Sequence, residues 1–192
     1  MNLREAVRLV ALLNIAYFGV EIIVGLWIGS VSLFADSIDF LEDASVNLLI
    51  LISIGWSASR RSTVGTALAA MLILPCLATL VMAWYKFSVP FAPTPLPLIL
   101  IGLGALMINL GCAYTLASCR RTGGSLARAA LLATRNDAYA NVAIAGAGIT
   151  TAIMPSAWPD LIVGLGIAFL NAAAVRRVYG AALEERSHVV GA

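Results

Sequence analysis

The sequence predicts an all-α membrane protein, a bundle of six transmembrane helices with both termini on the cytoplasmic side. Three observations predict it. The 192-residue chain is 61% hydrophobic and 11% charged, whereas a soluble domain is about 45–50% apolar and about 25% charged. Apolar windows of about 20 residues, long enough to cross roughly 30 Å of hydrocarbon, occur six times. Ten of the 12 basic residues fall on one side of the membrane if the windows alternate across it, which is the asymmetry of cytoplasmic loops.

The first window covers residues 9–29 and follows "MNLREAVR". It contains Glu21 and no small-x-small site, so it reads as a span and not as a cleaved signal peptide. The second, 33–56, begins after a short turn. The third, 65–85, leads into "KFSVPFAPTPLPL", where Pro90, Pro93, Pro95 and Pro97 are expected to exclude helix. The fourth and fifth, 97–118 and 129–154, are joined by "CRRTGGS". The Pro-bounded turn "MPSAWP" separates the fifth from the sixth, 158–178. Arg4, Arg8, Arg60, Arg61, Arg120, Arg121, Arg128, Arg176, Arg177 and Arg186 share the cytoplasmic side, Lys86 falls on the other, and Arg135 lies inside the fifth span. Residues 1–178 therefore form one transmembrane domain and residues 179–192 a short cytoplasmic tail that holds the only histidine, His188. The expected location is the cytoplasmic membrane, crossed many times.

Composition also excludes. A net charge of +2 without a basic run speaks against nucleic acid. Cys76, Cys112 and Cys119 match neither a zinc site nor a disulfide framework and read as small core residues. No nucleophile–base pair, phosphate loop or cofactor motif occurs, so neither an enzyme nor an organic cofactor is expected.

What remains unusual is acid in apolar surroundings. Seven of the ten acidic residues lie within the spans: Glu21, Asp36, Asp39, Glu42, Asp43, Asp137 and Asp160. Each Asp near the centre of a lipid-facing helix costs about 2.5–3.5 kcal/mol, so these side chains must face protein, water or a cation. At 100° per residue, Asp36, Asp39, Asp43 and Asn47 fall within about 80° of one another, one polar stripe, with Glu42 on its flank. In the fifth span Asp137 and Asn141 are four apart and share a face. Asp43 and Asp137 are both about 15 Å deep, entering from opposite sides. Carboxylates at one depth in a low dielectric call for a divalent cation or protons. Asn14, Asn109, Asn171 and Ser45 read as hydrogen-bonding links between helices. Asp160 reads as an anion favouring the start of its own helix.

With those residues in view, the chain resembles the cation diffusion facilitators, proton-coupled exporters of divalent metals. The resemblance is carried by "NIAYFGVE" (14–21), "GSVSLFADSIDFLED" (29–43), "ATRNDAYANVAI" (133–144) and "PDLIVGLGIAFL" (159–170). It implies a tetrahedral site from two residues four apart on the second helix and two on the fifth, here Asp39, Asp43 and Asp137. The fourth position falls on Ala133, which cannot coordinate metal, so Asn141, Asn136 or water must complete the set. The cytoplasmic metal-binding domain and His-rich loop of many members are not in the sequence.

The function expected is efflux of a divalent cation as substrate (Zn, Mn, Fe or Co) by proton antiport. An all-oxygen donor set shifts selectivity away from strict zinc preference. Glu21 and Asp36 are candidates for the pathway or for proton coupling, as is Arg135, which points away from Asp137 and can snorkel or form a gating ion pair. Partners are metal ions, protons and lipid, with a homodimer through membrane helices compatible. The main alternative is a transport-inactive subunit that keeps the fold with an incomplete site. An organic-cation carrier would need an aromatic cavity, for which Tyr17, Phe18, Phe40 and Tyr139 offer modest material.

Overall fold

In a computed structural model of the chain, the backbone is described for residues 2–52, 58–119 and 125–172. These residues form six helices and no strand: α1 (Leu3–Ile28), α2 (Val31–Ile52), α3 (Ala58–Ser88), α4 (Pro95–Cys119), α5 (Ser125–Ile153) and α6 (Trp158–Ala172). All six expected helices are present. The tail beyond residue 178 and the core of the 119–125 loop lie outside the described residues.

The boundaries differ from the apolar windows for local reasons. α1 begins at Leu3 because Asn2 and Glu5 make a reciprocal cap. Glu5 N donates to Asn2 Oδ1 at 2.9 Å, and Asn2 N donates to the Glu5 carboxylate at 3.1 Å. Hydropathy reports what can sit in lipid; capping decides where the helix starts. A second difference corrects an expectation. Pro95 and Pro97 do not exclude helix but open α4, because the first N–H groups of a helix have no partner to lose. Only residues 89–94 of that connection are non-helical.

α1 and α2 form an antiparallel hairpin through a turn that requires glycine. Gly29 has φ +64°, and its N–H closes the helix onto Gly25 O. A Cβ there would also collide with the Phe91 ring. α4 and α5 form a second hairpin against the first. Ile28, Leu33, Ala35, Leu98, Ala140, Ile144 and Ile167 from five helices make the main core. Beside it Val31, Ala83 and Leu161 join α2, α3 and α6. Gly164 brings α6 onto the start of α2: a Cβ would lie 2.7 Å from the Val31 carbonyl carbon and 2.8 Å from Ser32 N.

Much of the large apolar surface faces outward, including Ile23, Trp27, Leu74, Trp84, Met107 and Phe169, each at least 69% exposed. Among the described residues, two helices, Arg4–Ile28 and Pro95–Ser118, have both the length and the apolarity to cross a membrane. Gly29→Ala should destabilise the fold by about 1–2 kcal/mol from its left-handed backbone alone. Gly19→Ala, where a Cβ meets nothing within 4 Å, should be neutral or stabilise by up to about 1 kcal/mol. Thermal unfolding in detergent separates the two.

Candidate functional site

A chain of buried polar side chains crosses the middle of the bundle. Asn109 of α4 donates through Nδ2 to Asn141 Oδ1 of α5 at 3.2 Å, and Asn141 Nδ2 donates to Asp36 Oδ2 of α2 at 2.8 Å. Glu21 of α1 sits beside Asp36. Glu21, Asp36 and Asn141 are all fully buried, and both Glu21 oxygens and Asp36 Oδ1 lack a donor. Four helices thus contribute to one polar layer.

That layer fixes the register of α2 against α5, which run antiparallel. Measured from the Asp36–Asn141 bond away from Gly29, Asp39 and Asp43 lie about 4.5 and 10.5 Å further along α2. Asp137, four residues before Asn141, lies about 6 Å further in the same direction. The hydrogen bond therefore sets Asp137 at a level between Asp39 and Asp43. Solvent access increases in the same direction: Asp36 is buried, Asp39 and Asp137 are partly exposed, and Asp43 is exposed. No three His, Cys, Asp or Glu side chains among the described residues converge tightly enough to hold an ion. Asp137 lies level with the stretch of α2 between Asp39 and Asp43, and the three acids do not form a closed cage.

The other expected residues fall as follows. Asn141 uses both ends of its amide within the polar chain, and Asn136 is exposed. Glu42 is half-buried on the stripe's flank. The side chains of Ala133 and Arg135 lie outside those described. Asn109 and Asn171 link helices as expected, the latter donating to Ala35 O at 2.9 Å. Asn14 accepts from the Cys112 thiol at 3.8 Å. Tyr17 and Phe40 pack on each other with ring centroids 5.0 Å apart, while Tyr139 is 64% exposed. These rings do not cage a cation near the acids.

Asp160 does something the sequence did not show. Although it opens α6, its carboxylate caps α2, accepting from Val31 N at 2.9 Å and Ser32 N at 3.2 Å. It also accepts from Ser30 Oγ at 2.6 Å, from Ser32 Oγ and from Lys86 Nζ at 2.7 Å. An anion at a helix start was the right physics, attached to a neighbouring helix. The missed signal was Lys86, the one lysine of the sequence, because a lone charge in apolar surroundings needs a partner.

Replacing Asn141 by Leu removes the donor to Asp36 and the acceptor for Asn109. An unsatisfied buried group costs about 1–3 kcal/mol, so Asn141→Leu should lower the unfolding midpoint clearly more than Ser118→Ala, which loses one exposed bond to Thr115 O.

The model of the cation efflux transmembrane domain family matches residues 7–183 of the 192-residue chain. A comparison with curated proteins finds no match. With its all-helical fold and its acids gathered inside an apolar bundle, the chain belongs to the cation efflux family, the cation diffusion facilitators, and is a membrane protein of a family that transports divalent metal cations.

Proposed function

We propose that this protein exports divalent metal cations from the cytoplasm in exchange for protons, with Asp39, Asp43 and Asp137 as ligands and water in the fourth place. The observation that carries the reading is the register bond between Asp36 and Asn141. It levels one acid of α5 with two of α2, although the helices enter from opposite ends. Asn141, weighed as a ligand from its spacing, serves better as the residue that holds this register, because its amide is engaged at both ends.

All six helices would cross the bilayer with the Gly29 end outside, since the Arg residues gather at the other end. The acids then open toward the cytoplasm, the side from which an exporter loads. α2 and α5 would close on a cation entering between them, drawing three carboxylates onto it. Three carboxylates and one divalent ion leave a net charge of −1; without the ion the site holds −3 unless protons bind, so metal and protons compete. Glu21, with no donor to either oxygen, and the free Oδ1 of Asp36 lie side by side and can hydrogen-bond each other only through a shared proton. That supports a proton-carrying role one layer outward from the metal. Oxygen donors favour Mn²⁺, and less exclusively Fe²⁺ or Co²⁺, over strict zinc preference.

A second reading is a membrane subunit that no longer transports. Ala133 and the absence of a converged ligand cluster among the described residues favour it. Metal-dependent thermal stabilisation discriminates. The exporter predicts stabilisation by Mn²⁺, Fe²⁺ or Co²⁺ that weakens as pH falls, because the ligands must be deprotonated. Asp39→Ala, Asp43→Ala and Asp137→Ala should each cut metal affinity and proteoliposome flux by about 100-fold or more, the upper end of what disturbing even a supporting residue does. Ala133→His should move preference toward Zn²⁺. No metal-linked shift in the native chain would establish the subunit reading, and native Zn²⁺ flux far above the other metals would refute the selectivity.

A further inference from the structure

We propose that Lys86 and Asp160 form the external gate of the cation pathway, closed in this conformation; the proposal rests on the exporter reading above. The α2 stripe does not begin at Asp36. Ser32 lies within the same arc of about 80° as Asp36, Asp39, Asp43 and Asn47, so the polar face runs about 22 Å from Ser32 to Asn47. A cation leaving the acids toward the Gly29 end along this face meets Ser32 last. There the face is shut by Asp160, which holds Ser30, Ser32 and the first N–H groups of α2.

The closure draws on three separate segments. Lys86 of α3 donates to Asp160 Oδ2 and to Gly29 O, each at 2.7 Å, and lies 4.9 Å from the centre of the Phe91 ring. Asp160 comes from α6, and the serines from the α1–α2 turn. Ser30, Ser32, Asp36, Lys86 and Asp160 are each no more than 1% exposed, while Asp43 two turns inward of Asp36 is exposed. The Ser32 end of the polar face is sealed, and the face is reached by solvent at Asp43, with Asn47 one turn further buried again. Opening toward the Gly29 end must separate the start of α2 from Asp160. That separation leaves a carboxylate at the mouth, an attractive charge for a departing cation.

Two experiments test the gate. In a chain with Cys76, Cys112 and Cys119 changed to Ala, Ser32→Cys is exposed to a membrane-impermeant maleimide from outside. Labelling should be slow with the pair intact. Asp160→Asn and Lys86→Met should each speed it about tenfold or more, in proportion to the outward-open population, and Ser30→Ala should speed it less. Fast labelling of the parent, or unchanged labelling in variants that elute as monodisperse protein, overturns the gate. If neither charge variant folds, Ser30→Ala decides by the same criterion.

The second experiment is a Ser32→Cys/Asp160→Cys disulfide, which should stop flux of Mn²⁺ in proteoliposomes and release it on reduction. Flux that persists with the bridge formed overturns the gate, since the two segments then need not part. Labelling needs no metal. A native protein that moves no metal would therefore refute the exporter reading while the labelling rates still report whether the pair controls access.

Discussion

The hydrogen bond from Asn141 to Asp36 is the constraint on which the rest of the arrangement depends. It joins two antiparallel helices at one level inside an apolar bundle, where few other groups can fix a sliding register. Aliphatic side chains on α2 and α5 would pack almost equally well after a shift of one turn. A buried amide and carboxylate would not, because the shift strands both without partners. Asn109 behind Asn141 makes the arrangement more specific still, since it orients the amide with its nitrogen toward Asp36. From this one register follow the common level of Asp39, Asp43 and Asp137 and their position inward of the Glu21–Asp36 pair.

The bundle is correspondingly unequal along its length. At the Gly29 end the turn, the cap on α2 and the close approach of Gly164 bury Ser30, Ser32, Lys86 and Asp160, and the polar groups there satisfy one another. Further along, the acids become progressively exposed. Such a gradient is what one of two alternating states of an exporter requires: ligands open to one side and closed to the other. Small residues make the sealed end possible. Gly29 supplies the left-handed turn that lets α2 begin three residues after α1 ends, and Gly164 lets a helix carrying an anion lie against that beginning.

Much of this was legible in the sequence, for identifiable reasons. Helix number followed from apolar length, because a bilayer-sized window is a strong constraint. The α2 stripe followed from periodicity, since Asp36, Asp39 and Asp43 are costly anywhere but inside. The start of α1 was less legible because the Asn2–Glu5 cap lies in a polar stretch that hydropathy ignores. Pro95 and Pro97 misled because the first turn of a helix accepts proline without losing a hydrogen bond. The Asn141–Asp36 pairing joins residues 105 apart, and the Asp160 contacts with α2 join residues 128 to 130 apart. No local pattern encodes such distances. Spacing made Asn141 a candidate ligand, and only its neighbours reveal that its amide is already engaged.

The chemistry of the closed end bears on why it is ionic. A buried ion pair is a poor way to add stability, because desolvating both charges cancels most of their attraction, and well-packed apolar side chains often do as well. Lys86 and Asp160 therefore need a reason other than strength. Opening an apolar plug costs free energy in proportion to the surface that water reaches, so opening is steadily unfavourable. A charged pair regains hydration on both partners as it parts, which offsets the bonds that break. The closed state stays specific, because Asp160 fits one set of donors, while the open state is not prohibitively high. Cohesion that is directional when dry and replaceable when wet is the property a barrier needs if it must open repeatedly, and the five donors around Asp160 supply it where the polar face of α2 begins.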